Sequence, residues 1–124
     1  MTFEGLLTIK LKEIAELNDN VYPLCVPESV LAPYICYTQS GGERDKDLRG
    51  YNDFREADYE INILASKYSQ LKPLEEYVFN TLKSLIGQEA SGRKIQDIKI
   101  YDPSEQYEEA IKLQRANIEF TVFY

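Results

Sequence analysis

The stretch Ala116-Asn-Ile-Glu-Phe-Thr-Val-Phe-Tyr124 decides the fold, because apolar and polar side chains alternate along it. Ile118, Phe120, Val122 and Tyr124 fall on one face, and the side chains between them fall on the other. A period of two residues, rich in β-branched and aromatic side chains, predicts a strand with one face in a hydrophobic core. A strand here ties the segment into a sheet, so residues 1–124 are predicted to form a single domain.

Residues 55–65 alternate in the same way and predict a second half-buried strand. Its apolar positions are Ala57, Tyr59, Ile61, Ile63 and Ala65, and its polar positions are Glu56, Asp58, Glu60 and Asn62. Further strands are predicted at residues 33–39 and 95–101. The last strand is expected to begin near residue 110, where the apolar positions switch from odd to even. That switch predicts a β-bulge near Gln114 and Arg115.

Two segments carry apolar residues at helical spacing, in residues 3–17 and in residues 69–87. The apolar set of the first is Phe3, Leu7, Leu11, Ile14 and Leu17, and that of the second is Leu71, Leu74, Val78, Leu82, Leu85 and Ile86. Ser69 is the predicted N-cap of the second helix, with Pro73 in its first turn. The predicted fold class is α+β, a mainly antiparallel sheet of about four strands with two helices packed on one face.

Residues 40–53 are predicted to be a mobile loop, because charges of both signs and glycines leave little apolar area to bury. The charged side chains of interest there are Glu43, Arg44, Asp45, Lys46, Asp47 and Arg49. The segment is either a solvated flexible loop or a candidate partner-contact loop that becomes ordered on a partner.

Composition excludes several classes of function. The net charge of −7 and the lack of a basic run argue against nucleic-acid binding. The chain has no His, which excludes Ser-His-Asp catalysis and His-based zinc sites, and it contains no glycine-rich phosphate-binding motif. No cofactor, metal site or membrane span is therefore predicted. Cys25 and Cys36 are expected to stay reduced in a cytosolic site of synthesis, with Cys36 as a small buried hydrophobe.

Glu56, Asp58 and Glu60 form an acidic row on the polar face of one predicted strand. Alternate residues place carboxylates roughly 7 Å apart, a separation that inverting glycosidases use. A solvated sheet face accounts for the same pattern, since exposed strand faces commonly carry charge. The protein is accordingly not predicted to be an enzyme, and a carboxylate-dependent hydrolase remains an alternative.

Four segments, in this order and spacing, resemble the family of small phage tail-completion proteins, also called head–tail joining or tail-terminator-like proteins, of long-tailed phages and prophages. The matching segments are Val21-Tyr22-Pro23 with Pro27 and Pro33-Tyr34-Ile35-Cys36-Tyr37, then residues 59–69, 74–87 and 116–124. The likeness covers nearly the whole chain.

The resemblance implies a structural protein that caps the tail tube and joins tail to head, typically as a ring, with six copies as one possible number. Its partners would be other copies, the tail tube protein and head connector or completion proteins, first in the host cytoplasm and then in the virion. The acidic row would then be a candidate lumen-facing surface that repels DNA. Two alternatives stay open, a head-completion or connector-stopper protein and a cytosolic α+β ligand-binding module.

Overall fold

The computed structural model describes residues 2–17, 19–24 and 31–124, and at positions 52 and 53 the backbone alone. These ranges contain two α-helices, α1 (Phe3–Lys12) and α2 (Tyr68–Ser84), and a short 3-10 helix at Ala15–Leu17. The strands in the same ranges are β1 (Val21–Pro23), β2 (Tyr34–Asp47), β3 (Gly50–Ala65), β4 (Glu89–Ala90), β5 (Arg93–Lys94), β6 (Asp97–Ile100), β7 (Ser104–Glu108) and β8 (Leu113–Phe123).

The main sheet has the order β1-β2-β3-β8, and β8 is completed on its other edge by both β6 and β7. All of these pairs are antiparallel except β1 with β2, so the sheet is mixed. β4 and β5 form a separate two-stranded ribbon. The α+β class with two helices is confirmed, but the expected number of four strands is wrong, since six strands of the described chain join this sheet. The additional strands are three to five residues long, too short for their alternation to stand out in the sequence.

The core lies between one face of the sheet and the helices. Tyr59 is opposite Phe120, and Ile61 is opposite Ile118, so the alternations of β3 and β8 are aligned on one buried face. Phe3 of α1 packs on this face, with its ring centroid 5.1 Å from that of Tyr59. The apolar stripe of α2 belongs to the same cluster, at Leu71, Leu74, Val78 and Leu82. Both helices therefore cover one face and leave the other open.

The first predicted helix is present but interrupted. Thr2 caps α1 by accepting a hydrogen bond from the Gly5 N–H at 3.1 Å, and the chain then turns before the 3-10 helix. The predicted stripe from Phe3 to Leu17 is nonetheless buried throughout.

The second helix begins earlier than predicted. α2 starts at Tyr68 with Lys67 as its N-cap, so Ser69 is not the N-cap and Pro73 lies two residues further into the helix than expected.

The β-bulge predicted near Gln114 and Arg115 is absent from the described chain. Pairing of β3 with β8 runs without a shift from Ala65 opposite Gln114 to Glu56 opposite Phe123. Residues 109–112 form a turn instead, in which Ile111 is exposed and Lys112 has a φ of 54°. The odd-numbered Ile111 belongs to this turn, and the odd-numbered Leu113 is a half-buried residue at the start of β8, so the change of phase involves no bulge.

The predicted loop at residues 40–53 is wrong in its secondary structure. β2 and β3 continue through it as a hairpin, with Arg44 opposite Arg55, Asp47 opposite Gly50 and a turn at residues 48–49. β8 accompanies β3 only as far as Glu56, so residues 44–55 project beyond the sheet as a two-stranded ribbon, called the arm below. Backbone pairing holds this ribbon together without burying side chains, which a composition argument overlooks. Its mobility stays a prediction.

Candidate functional site

The acidic row lies on the open face of the sheet, opposite the core. Glu56, Asp58 and Glu60 are half-buried there, and their neighbours in β3 are core residues. Asp58 Oδ1 accepts a hydrogen bond from Thr121 Oγ1 of β8 at 2.6 Å. The three carboxylates therefore share one face of β3, and that face is not the core face, as predicted.

Strand pairing adds two carboxylates to the predicted acidic row: Glu43, which was predicted as a partner-contact residue, and Glu119, which was not singled out. Glu43 of β2 lies opposite Glu56, and Glu119 of β8 lies opposite Glu60. Like charges directly opposite on neighbouring strands are destabilising, by roughly 0.2–1 kcal/mol per pair. Five carboxylates thus form one acidic surface across three strands. The alternation of residues 116–124 already placed Glu119 on a polar face, but which strands are neighbours could not be read from the alternation.

The other end of the open face is occupied by a hydrogen-bonded network. Asn62 Oδ1 accepts from Arg115 Nε and from Asn117 Nδ2, both at 2.9 Å. Arg115 also pairs with Glu108 at 2.9 Å. A hydrogen bond from Gln106, and then the contact with Arg115, lowers the pKa of the Glu108 carboxyl. At this end of the open face the negative charge of Glu108 is therefore balanced by Arg115, whereas the carboxylates at the other end have no such partner among the residues named here.

The candidate partner-contact residues are gathered on the arm. Arg44, Asp45, Lys46, Asp47 and Arg49 lie on it with exposed side chains, and Glu43 lies at its base. They were predicted to belong to a loop, and the hairpin instead gives each a defined strand or turn position.

Specific contacts shape the tip of the arm. Asp47 Oδ1 accepts from the Arg49 N–H at 2.8 Å and closes the turn. The Lys46 ammonium lies 5.2 Å from the centre of the Tyr51 ring. Leu48, in the turn between β2 and β3, is fully exposed.

Three arginines surround the base of the arm on the core side. Arg44 and Arg55 lie opposite each other, and with Arg93 and Tyr124 they line a cavity of about 150 Å³. The Arg55 guanidinium lies 5.8 Å from the centre of the Tyr124 ring. Burial raises the pKa of the Tyr124 hydroxyl. Acidic and basic groups thus lie on opposite faces of the sheet near the arm.

A cleft of about 420 Å³ lies between α2 and the edge formed by β6 and the segment after it. We call it the α2 cleft. The residues that line it are Lys72, Glu75, Glu76, Phe79, Ile100, Tyr101, Asp102, Pro103 and Ile118. Its apolar walls resemble those of a binding site, since most such sites are concave and largely apolar with a few polar groups.

Glu75 is the unusual residue of the α2 cleft. Its side chain is only 6% exposed, and its Oε1 atom has no hydrogen-bond partner. Lys72 Nζ lies 3.5 Å from Glu75 Oε2 and 2.8 Å from Glu105 Oε1. Burial, and then the charge of nearby Glu105, raises the pKa of the Glu75 carboxyl, whereas the hydrogen bond from Lys72 lowers the pKa of Glu105. A buried acceptor left unpaired is a group that a partner could satisfy.

The described part of the chain holds neither a cluster of metal ligands nor a membrane-spanning helix. Among the described residues, no three His, Cys, Asp or Glu side chains are arranged to hold a metal ion. No helix in the described ranges is long and apolar enough to cross a membrane. Cys36 is half-buried on the open face, opposite Asn62, and not fully buried as predicted, while Cys25 lies outside the described residues.

Similarity to known proteins lies in the fold. No family model matches the chain, and no curated protein matches its sequence. A chain in a solved structure titled "Virion of native gene transfer agent (GTA) particle" matches with a TM-score of 0.69 and 15% identity, over 98% of this chain and 93% of that one. A second solved structure, whose name states no function, matches with a TM-score of 0.62 and 10% identity, over 99% of this chain and 92% of that one. The chain therefore shares its whole fold with a protein of a virion particle.

Proposed function

We propose that this protein is a structural component of a virion, a tail-completion protein that caps the tail tube and joins the tail to the head as a ring. The observation that carries the proposal is the match to a virion chain over 98% of this chain and 93% of that one. It agrees with the sequence resemblance to tail-completion proteins, which rests on separate features.

The proposed role requires no catalysis, cofactor or metal. The partners are other copies of the chain, the tail tube protein and the head connector or completion proteins. Assembly takes place in the host cytoplasm, and the protein then remains in the virion at the head–tail junction. Binding to a particular nucleic-acid sequence forms no part of this role, in keeping with the net charge of −7.

The acidic surface has a use in such a ring. We place Glu43, Glu56, Asp58, Glu60 and Glu119 on the lumen, where their charge keeps DNA from adhering to the wall. A ring of six would carry a formal charge of −42, six times the −7 of one chain. Screening limits repulsion to about 8 Å at physiological salt, so the effect acts at the wall itself. A structure of the assembled ring with this surface outside would remove the assignment.

The test is electron microscopy of lysates from the phage or prophage with this reading frame deleted. Filled heads beside unattached tails, or tails of uncontrolled length, are the expected result. Heads that have lost their DNA beside tails of normal length would favour the head-completion or connector-stopper alternative.

Intact virions in the deletion lysate would refute both structural roles. The ligand-binding alternative would then be favoured, with the α2 cleft as its site. A carboxylate-dependent hydrolase makes a different prediction, that replacing Glu56 and Glu60 together abolishes turnover of a substrate while the fold persists.

A further inference from the structure

The arm exposes apolar side chains that an isolated ribbon cannot bury. Leu48 is fully exposed at its tip, and Tyr51 is 72% exposed on the strand that follows. Two-stranded hairpins are at best marginally stable in water. Leu48 and Tyr51 lie within three residues of each other, so one partner surface can cover both.

The α2 cleft offers complementary chemistry. Its charged groups are Lys72, Glu75, Glu76, Asp102 and the adjacent Glu105, which sum to −3 when all are ionised. Its apolar wall includes the half-exposed rings of Phe79 and Tyr101. The group that fits it is a cation next to an apolar side chain.

We propose that the arm tip of one copy inserts into the α2 cleft of a neighbouring copy, where Arg49 binds the unpaired Glu75 oxygen and Leu48 packs on Phe79 and Tyr101. Arg49 suits this role better than Lys46, because Lys46 already lies over the Tyr51 ring. The guanidinium fork also presents several N–H donors to a carboxylate at once. The proposal deepens the proposed function and rests on its self-assembly.

The arm cannot reach the cleft of its own chain. Ile118, in the cleft wall, is opposite Ile61 of β3, and the arm turn lies eleven residues further along that strand, before Gly50. At about 3.3 Å per residue the separation is about 36 Å. The contact must therefore be between copies.

A contact of this kind joins two different surfaces of the same molecule. Such a head-to-tail contact gives a ring when the rotation between copies closes and a filament when it does not, whereas contacts between identical surfaces give dimers. The proposed contact thus supplies a physical basis for ring formation.

A photo-crosslinking amino acid such as benzoylphenylalanine at position 48 tests the proposal on the full chain. The protein is mixed from ¹⁴N- and ¹⁵N-labelled pools, so that products between copies are separated by mass. We expect products between copies joined to peptides containing residues 72–79 or 100–103. The same amino acid at the exposed Leu31 is the control and should not reach those peptides.

Charge-neutral variants test the chemistry of the contact. Arg49→Gln and Glu75→Gln should each weaken self-association by about tenfold, the usual loss for a hydrogen bond to a charged group. The double variant should be no weaker than either single variant, because both remove one interaction. Glu89→Gln, which removes an exposed carboxylate of β4 outside both the α2 cleft and the arm, is the matched control and should change association little.

The outcomes separate this inference from the proposed function. Products between copies at other peptides, or additive losses in the double variant, overturn the arm contact and leave self-assembly standing. Products with another virion protein in purified particles also overturn it. An absence of products between copies at millimolar concentration, with a monomer in sedimentation, would refute both the contact and the self-assembled ring.

Discussion

Gly42 is the residue on which the geometry of the arm depends most directly. Its φ is +145°, a region that L side chains rarely adopt, and a Cβ placed there would lie 2.5 Å from the Glu56 carbonyl oxygen. Gly42→Ala should cost about 1–3 kcal/mol in backbone strain. The strands must also separate by roughly 0.8 Å to reach an ordinary C···O contact, which weakens one or two hydrogen bonds of about 1 kcal/mol each. The total is about 2–5 kcal/mol.

Most of that cost should be local, because β2 can separate from β3 between Gly42 and the tip while β3 keeps its pairing with β8. Once the strain exceeds the stability of the arm, the arm opens and the rest of the sheet remains folded. We expect amide hydrogen exchange in residues 44–55 to approach the rate of an unstructured peptide. The free energy of global unfolding should fall by at most about 1 kcal/mol, a Tm shift of at most about 5 °C for a domain of this size.

Gly41→Ala is the matched control, because its added Cβ would lie 3.9 Å from Asp58 Oδ2, an ordinary contact. Both exchange and Tm should stay near those of the original protein. Protected arm amides in Gly42→Ala would refute the steric argument. A global loss of 2–5 kcal/mol would instead show that the arm and the core unfold together.

Three further variants test the core and the two carboxylate sites. Phe120→Ala should lower the free energy of unfolding by about 3–5 kcal/mol in urea titrations, because a fully buried ring stacked on Tyr59 is removed. Glu60→Gln should raise it by roughly 0.2–1 kcal/mol at low salt and by less at high salt, because it relieves the pairing with Glu119. Because burial raises the pKa of Glu75, the native state retains a proton above pH 4.5 that the unfolded chain has released, and stability falls as pH rises through that window. Glu75→Gln should remove this fall.

Each of the three has an outcome that would contradict it. A loss below about 1 kcal/mol for Phe120→Ala would mean that the core repacks around the cavity. A salt-independent effect of Glu60→Gln would exclude a Coulombic origin. Parallel pH profiles for Glu75→Gln and the original protein would show that Glu75 does not titrate in that window. The lowered pKa of Glu105 places its own contribution at lower pH, where stability is lost as pH falls, so the two carboxyls can be separated.

Burial of whole faces could be predicted from the sequence. Apolar residues recur every second position around Tyr59 and Phe120 and at helical spacing in both helices. This spacing predicts the type of each element and the face that is buried. These residues form the core as expected, with the exception of Ile86, which lies beyond the end of α2 and is 40% exposed.

Features that depend on pairing between distant strands could not be predicted. The arm has no apolar periodicity, so its strands form through backbone pairing that the side chains do not reveal. The apposition of Glu60 and Glu119 depends on β8 lying beside β3, and no local pattern specifies that neighbour. The unpaired oxygen of Glu75 results from packing between α2 and the sheet edge. In the sequence, nothing distinguishes Glu75 from other glutamates on a helix. The acidic row on β3 could be predicted from the sequence, but its extension onto β2 and β8 and the α2 cleft could not.

The β2–β3 pairing has two register shifts, after Gln39 and after Arg44, and both lie near the base of the arm, where the arm can bend relative to the sheet. Residues 50–55 extend about 20 Å beyond the last level shared with β8, at about 3.3 Å per residue. A rotation of about 10° at its base would therefore move the tip by about 3.5 Å, which is close to the rise of one strand residue. The arm tip could therefore reach contact sites about one strand residue apart while the core of the protein stays unchanged.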